Sequence, residues 1–173
     1  MLNAETKPFV QEVRTNVVII PGHALKTEDK ENLKKLWRNF SSFVPRPRAD
    51  HFRFLQAYPQ NIYFLLVSEE DGSVIGTATL VPNMSSQKEY VSLEDMVIDP
   101  DYRRLGYGEK FLQHIMAWVQ ASDDYFFLQA SVHPNRAEMT ALCRKMGMRM
   151  VAQAVGHEPG DVNIFRLVLV ASE

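Results

Sequence analysis

The segment from residue 91 to residue 112 constrains the fold of this chain more than any other part of it. It consists of an apolar stretch, a turn marked by Pro100, a basic glycine-containing loop (Arg103–Gly108) and an amphipathic stretch. This order predicts a β-strand and an α-helix joined by a loop that opens the helix. The start of a helix presents unbonded backbone N–H groups and a positive dipole end, to which Arg103 and Arg104 add charged donors. The segment therefore predicts a strand–loop–helix unit that binds an anion such as a phosphate group.

The glycines of this loop do not fit the common nucleotide-binding motifs. Gly106 and Gly108 let the backbone turn and approach a ligand without a Cβ atom between them. A dinucleotide fingerprint needs a third glycine where this chain has Phe111, and a Walker P-loop needs a lysine where it has Glu109. Both motifs are therefore excluded.

The loop resembles the signature of the GNAT family of N-acetyltransferases, Arg/Gln-x-x-Gly-x-Gly/Ala directly after a strand. The resemblance implies that the strand pairs its backbone with the pantetheine arm of acetyl-coenzyme A, and that the loop holds the pyrophosphate. The implied cofactor-binding residues are Met96, Val97, Ile98, Arg103, Arg104, Leu105, Gly106, Tyr107 and Gly108. The alternative is a glycine-rich turn that caps an ordinary helix.

The order of predicted elements between Ile62 and Gly147 also follows that family. Asp71-Gly72 predicts a hairpin turn, and a strand, the loop, a helix, a strand and a helix follow. Strands are predicted at 13–20, 62–68, 73–81, 90–98, 125–132, 148–155 and 163–170, and helices from Thr27, near Asp50, at 108–121 and at 136–146. The predicted fold is α/β, with a mixed, mostly antiparallel sheet of about seven strands flanked by about four helices. The resemblance adds that the fourth and fifth strands splay apart, and we expect one domain over residues 1–173.

Composition excludes several classes of function. The net charge of −2 and the pI of about 6.2 argue against a general nucleic-acid or membrane binder. No run of about 18 apolar residues predicts a membrane span, and the start of the chain does not read as a signal peptide. The single cysteine suits a reducing compartment, and the five histidines lack metal-ligand spacing. We therefore expect a cytoplasmic protein without a metal. The sequence does not determine its oligomeric state, and a homodimer is one option.

Glu94 and Asp95 are adjacent carboxylates in the otherwise apolar strand. On a regular strand they point to opposite faces, so at least one is predicted to face the interior or a cleft. Apolar surroundings raise the pKa of a carboxyl towards that of a useful base. The pair also resembles the same stretch in the glucosamine-phosphate N-acetyltransferases of the family, where it lies at the catalytic centre. We predict both as catalytic; the alternative is that one pairs with a neighbouring Arg or Lys and the other is solvated.

Two positions depart from the family's pattern. Asn135 resembles the asparagine that binds the pantetheine, but the usual spacing from Gly147 lands on Arg136; a helix N-cap is the alternative role for Asn135. Cys143 stands where the family often has a tyrosine that protonates the coenzyme thiolate. We predict that Cys143 packs inward as a core residue. The thiolate would then leave without a side-chain acid, or with help from water, Tyr107 or Tyr125.

A basic cluster before the second strand could line the acceptor site. It comprises Arg46, Arg48, His51 and Arg53, and a solvated basic loop is the alternative. His157, in the last predicted hairpin, has the same two interpretations.

The sequence thus predicts a cytoplasmic N-acetyltransferase that transfers the acetyl group of acetyl-coenzyme A directly to a primary amine in a ternary complex. The acceptor is a small molecule or a peptide. A non-catalytic acyl-coenzyme A-binding module and a nucleotide-binding regulatory domain are the alternatives.

Overall fold

The computed structural model describes residues 12–38, 59–83, 90–122, 124–155 and 161–169. Seven strands and three α-helices lie in these ranges. The strands are β1 Thr15–Pro21, β2 Ile62–Ser68, β3 Val74–Pro82, β4 Tyr90–Ile98, β5 Phe127–Val132, β6 Arg149–Ala154 and β7 Val162–Val168. The helices are α1 Thr27–Trp37, α2 Tyr107–Ala121 and α3 Ala137–Lys145. The helix predicted near Asp50 lies outside the described residues.

The strands form one sheet in the order β1-β2-β3-β4-β5-β7-β6. All neighbouring pairs are antiparallel except β4 and β5, which are parallel. The prediction of a mixed, mostly antiparallel seven-stranded sheet is confirmed. The parallel pair is joined through α2, as a parallel connection requires a crossover.

The two central strands part after four register pairs. β4 and β5 pair from Tyr90–Phe127 to Leu93–Ala130. Beyond that point β4 continues to Ile98 beside β3 alone, and β5 continues to Val132 beside β7 alone. The predicted splay is therefore confirmed, and we call the space between the diverging strands the gap.

A β-bulge interrupts β4 where the gap begins. Thr79 pairs with Glu94 and Thr77 pairs with Val97, so one residue of β3 faces both Asp95 and Met96. Asp95 has a left-handed φ of 50°, a conformation that non-glycine residues rarely adopt. The extra residue reverses the alternation of side chains. Leu93 before the bulge and Met96 after it consequently join the same hydrophobic cluster.

Helices cover both faces of the sheet. The larger cluster contains Phe111, Leu112, Ile115 and Val119 of α2, Met139 and Cys143 of α3, and Phe64, Leu93 and Phe165 of the sheet. The smaller cluster joins Leu33 and Trp37 of α1 to Tyr63 and Leu65 of β2. Leu33, Leu36, Trp37 and Phe40 fall at helical spacing in the sequence, which predicts one apolar face; the first three are buried as this predicts, and Phe40 lies outside the described residues.

The start of α1 differs from the prediction. Thr27, followed by Glu28 and Asp29, matches the sequence pattern of an N-cap residue, but it is the first helical residue and Lys26 precedes it as the N-cap. The Asp29 carboxylate accepts a hydrogen bond of 2.9 Å from the Lys26 N–H. The side chain of Asp29, one turn inside the helix, therefore bonds a backbone N–H group at the start of α1, the end of the helix that an N-cap side chain would serve.

Candidate active site

The gap has a narrow end at Glu94 and a wide end at the glycine loop. Glu94 is the first residue of β4 after the last pair with β5. Ile98 lies four positions further along the strand, which corresponds to at most roughly 13 Å at the usual rise per residue. A 3-10 turn at Pro100–Tyr102 then leads into the loop and α2. An extended molecule in the gap would therefore have a carboxylate at one end and the loop at the other.

The backbone edge of β4 along the gap carries two arginine side chains. Arg136 Nη2 donates to the carbonyl oxygen of Met96 at 3.1 Å, and Arg103 Nε donates to that of Ile98 at 2.9 Å. Backbone groups of a strand alternate in direction, so the groups of Met96 and Ile98 face the gap and those of Val97 face β3. The Asp99 N–H, which donates to Ile75 at 2.8 Å, follows the same alternation. Val97 therefore directs its backbone N–H and carbonyl groups to β3.

The glycine loop has the geometry of an anion site. Arg104 and Gly106 both have left-handed φ values, 64° and 84°. Left-handed residues in a loop turn successive N–H groups towards a common point. The loop opens α2 with Gly106 as the N-cap. Arg104 and Leu105 are exposed, and Arg104 makes only a solvent-exposed contact of 3.6 Å with Glu138, which holds it weakly.

Tyr107 enters this loop only through its backbone. Its side chain is buried, and its hydroxyl accepts from the Val13 N–H at 2.7 Å and donates to the Val13 carbonyl at 3.0 Å. A phenol with both bonds made inside the fold is unsuited to proton transfer in the gap. The alternative that Tyr107 protonates the thiolate is therefore disfavoured by the structure.

Glu94 and Asp95 lie at the narrow end of the gap, but their surroundings differ from the expected ones. Glu94 is exposed and Asp95 is partly exposed. Neither carboxylate is enclosed by apolar side chains, because the bulge replaces the regular alternation on which that expectation rested. Asp95 lies close enough to Tyr63 and to Arg136 to act on both electrostatically.

A row of buried polar side chains leads across the sheet to Glu94. Tyr63, Thr79 and Glu94 are successive register partners on β2, β3 and β4. Asn61, Tyr63, Thr77 and Thr79 are buried, and the hydroxyls of Thr77 and Thr79 have no hydrogen-bond partner among the described residues. Burial and then the charge of Asp95 raise the pKa of Tyr63, while the Asn61 amide lowers it. Buried polar atoms of this kind are the usual partners of internal water.

At the start of α3, the side chain that reaches the β4 edge of the gap is that of Arg136. Asn135 is exposed, and its backbone N–H donates to His133 Nδ1 at 3.2 Å. The N-cap of α3 is Arg136, so the predicted capping role of Asn135 is wrong. Arg136 reaches Met96 across 40 residues of sequence. The count back from Gly147 had pointed to Arg136, and that spacing was the signal for it.

Cys143 is fully buried in the larger hydrophobic cluster, which confirms its predicted inward packing. Burial raises the pKa of its thiol to about 11, although the charge of Arg136 and a backbone hydrogen bond lower it. The remaining candidate acid, Tyr125, precedes β5 at the end remote from the gap. Phe127 pairs with Tyr90, whereas the gap opens only beyond Ala130.

Several predicted features fall outside the described residues. These are Arg46, Arg48, His51, Arg53 and His157. Among the residues that the structure describes, no group of three His, Cys, Asp or Glu side chains could hold a metal ion. Within the same ranges, no helix has the length and apolar character needed to cross a membrane.

The geometry can be compared with known proteins. Residues 30–148 match the model of the acetyltransferase (GNAT) family. The structure is similar to a protein assigned to the GNAT acetyltransferases from Desulfovibrio desulfuricans, with a TM-score of 0.73, 14% identity and coverage of 91% of this chain and 100% of that one. The ribosomal-protein-S18-alanine N-acetyltransferase of Escherichia coli has a TM-score of 0.70 and 18% identity, with coverage of 91% of this chain and 97% of that one. Arabidopsis thaliana NAA60 in complex with acetyl-CoA has a TM-score of 0.68 and 15% identity, with coverage of 89% of this chain and 99% of that one.

At these identities the likeness to solved structures shows the fold, and the family model carries the assignment. No curated protein matches this chain in sequence. The matched region runs from α1 to the residue after Gly147 and includes the gap, the loop and the two carboxylates. The chain therefore belongs to the GNAT family of acetyltransferases.

Proposed function

We propose that this protein transfers the acetyl group of acetyl-coenzyme A to the primary amine of an acceptor, directly and within a ternary complex. The observation that carries the proposal is the open edge of β4. It presents backbone groups of Met96 and Ile98 between a carboxylate pair at one end and an anion-binding loop at the other. We also propose that residues 1–173 form one domain with this activity.

The residues of the gap fit acetyl-coenzyme A. The loop offers backbone N–H groups and Arg103 and Arg104 to phosphate oxygens, which suits the pyrophosphate. The carbonyl oxygens of Met96 and Ile98 already accept from Arg136 and Arg103, so their gap-facing N–H groups suit the carbonyl oxygens of an extended arm, which would bind as an added strand does. When bound, acetyl-coenzyme A supplies an activated acyl group as a thioester.

Glu94 is proposed as the base that takes the proton from the acceptor amine, either directly or through water. It is exposed to an incoming acceptor, and it adjoins the row of buried polar side chains that ends at Asn61. Asp95 is the second candidate, since the bulge places it beside Glu94 at the end of the gap. Holding amine and thioester in one complex makes the transfer effectively intramolecular.

The acceptor class is a primary amine on a small molecule or a peptide. The E. coli neighbour, named as an N-acetyltransferase of a ribosomal-protein alanine, makes peptide amino termini a sensible first choice. A specific observation also favours a second function, a non-catalytic acyl-coenzyme A-binding module. Cys143, at the position of the family's acid, is buried and has a pKa of about 11.

The test is a panel of primary amines, including amino sugars and short peptides, incubated with acetyl-coenzyme A and assayed for free coenzyme A thiol. Turnover with any acceptor, above the rate without acceptor, supports the enzyme. Tight binding of acetyl-coenzyme A without turnover on a broad panel would support the binding module. Absence of acetyl-coenzyme A binding would contradict both.

A further inference from the structure

Two guanidinium groups lie along the gap, in a fixed order. Starting from the narrow end, β4 presents Glu94, the bulged Asp95, Met96 with Arg136 bound to its carbonyl, and Ile98 with Arg103 bound to its carbonyl. Arg103 belongs to the loop at the wide end. Arg136 is the cation nearer to the two carboxylates.

Acetyl transfer leaves a negative charge that this chain must accommodate. The amine nitrogen forms a bond to the thioester carbon, and the base removes the proton from that nitrogen. The carbon–sulfur bond breaks, and its electron pair stays on sulfur as the thiolate of coenzyme A. The thiolate of a thiol of ordinary acidity, with a pKa of about 8.5, will not take a proton efficiently from a weaker acid.

The side-chain acids considered for this proton do not meet the requirement. The Cys143 thiol, with a pKa of about 11, is a weaker acid than the coenzyme A thiol that would form when its proton passed to the thiolate. The Tyr107 hydroxyl is engaged twice by Val13. Tyr125 lies at the far end of β5, and burial together with Asp124 raises its pKa.

Arg136 is placed where a charge could replace the missing acid. It lies seven residues before Cys143, and seven residues are nearly two full helical turns, so the two lie on the same side of α3. The charge of Arg136 acts on the Cys143 thiol. Arg136 thus acts electrostatically on Cys143 while its Nη2 bonds the backbone edge of β4 at Met96.

The electrostatic surroundings make Arg136 receptive to an anion. Its partial burial and the like charge of Arg103 lower its pKa, while Asp95, Cys143 and Glu138 oppose that change. A guanidinium nevertheless keeps its proton in proteins. Arg136 is partly buried and lies near a second cation, so a negative charge that arrives beside it lowers the electrostatic energy of the site.

We propose that the Arg136 guanidinium stabilises the leaving thiolate of coenzyme A, so that transfer proceeds without a side-chain acid. This inference rests on the proposed function, because it places the thioester in the gap. It assigns Arg136 a catalytic role through charge, in contrast to proton donation.

The test uses coenzyme A and desulfo-coenzyme A, whose affinities for the whole protein are measured by calorimetry between about pH 6 and 9, the range around an ordinary thiol pKa. If Arg136 stabilises the thiolate, wild-type protein should increasingly prefer coenzyme A as the pH rises. The preference should grow by about tenfold for each pH unit by which binding lowers the thiol pKa. The thiolate absorbance of bound coenzyme A measures the same change directly and needs no acceptor.

Three variants separate charge from shape. Arg136→Gln should abolish the pH-dependent preference, and Arg136→Lys should retain most of it because the charge remains. Arg144→Gln is the matched control, because Arg144 is exposed in the last turn of the same helix. An unchanged preference in Arg136→Gln, or an equal loss in Arg136→Lys and Arg136→Gln, would overturn the inference alone. If wild-type protein binds neither compound, the proposed function fails and the inference fails with it.

Discussion

The buried thiol of Cys143 makes the stability of this protein depend on alkaline pH in a predictable way. Its pKa is about 11 in the folded protein against 9.0 for a free thiol, and the largest cause is burial. A group whose folded pKa is raised contributes its full stability below the unfolded pKa and loses it as the pH rises through the folded pKa. Two pH units correspond to about 3 kcal/mol, lost between about pH 9 and pH 11.

The effect of Cys143→Ala on the free energy of unfolding should therefore change sign as the pH rises. At neutral pH, Cys143→Ala removes one fully buried sulfur atom and should cost about 1 kcal/mol through a small cavity. Above about pH 11 the wild-type protein must carry a thiolate in its core or pay to keep the proton, so the alanine variant should be more stable by about 2 kcal/mol. The two stability curves should cross near pH 10, where the thiol term of about 1 kcal/mol equals the cavity term.

The measurement is urea unfolding of both proteins, followed by circular dichroism at several pH values from neutral to about 11. Tyrosine and lysine titrations are common to both proteins and cancel in the difference. If the difference in free energy of unfolding between the two proteins stays constant across this range, the reasoning is refuted, because the thiol would then titrate alike in the folded and unfolded chains. The variant should also keep most of its acetyl transfer, because packing is the role assigned to Cys143.

Three further predictions concern the strands and the loop. Glu94→Gln should lower turnover by about 10²–10⁴-fold while acetyl-coenzyme A affinity stays constant; a loss below about threefold at saturating acceptor would transfer the role of base to Asp95, which Asp95→Asn then tests. Gly108→Val should weaken acetyl-coenzyme A binding at least about tenfold, because its methyl groups would crowd Ile98 and Leu142, the neighbours of a Cβ at this position, and displace the loop. Gly108→Ala, whose Cβ would meet only ordinary contacts at 3.7 Å and 3.8 Å, should bind normally; equal binding by both would remove the loop from the site. Thr79→Val should leave the free energy of unfolding unchanged or raise it by about 1 kcal/mol in urea titrations, because the buried hydroxyl has no partner among the described residues; a clear loss would show that the hydroxyl is bonded.

The strands were predictable because each one is marked by its own residues. The Asp71-Gly72 turn, the apolar run of β2 and the basic glycine loop each carry a local signal, and the structure places β2 and β4 at the predicted residues. The resemblance to a family supplied the order of the sheet and the splay. Local patterns alone do not contain either, because both depend on pairing between distant strands.

The details of the candidate site depended on a feature without a local signal. Glu94 and Asp95 read as ordinary members of an alternating strand, but the bulge arises from the offset between β3 and β4. At the start of α3, likewise, the residue that reaches β4 is Arg136, the neighbour of Asn135. A long side chain such as that of Arg136 can reach another element, and its target cannot be read from spacing along its own helix.

The bulge in β4 also affects how this gene can change in length. Deleting the codon of Asp95 would remove the extra residue of the strand, so that Ala78 would face Met96 alone. Leu93 and Met96 would then lie two positions apart on a regular strand and stay on the α2 side of the sheet. The core would keep its side chains, whereas the bend and one of the two carboxylates at the narrow end of the gap would be lost. Descendants of this gene that lose only the fold's chemistry can therefore shorten this stretch, and descendants that keep the chemistry should keep its count of residues.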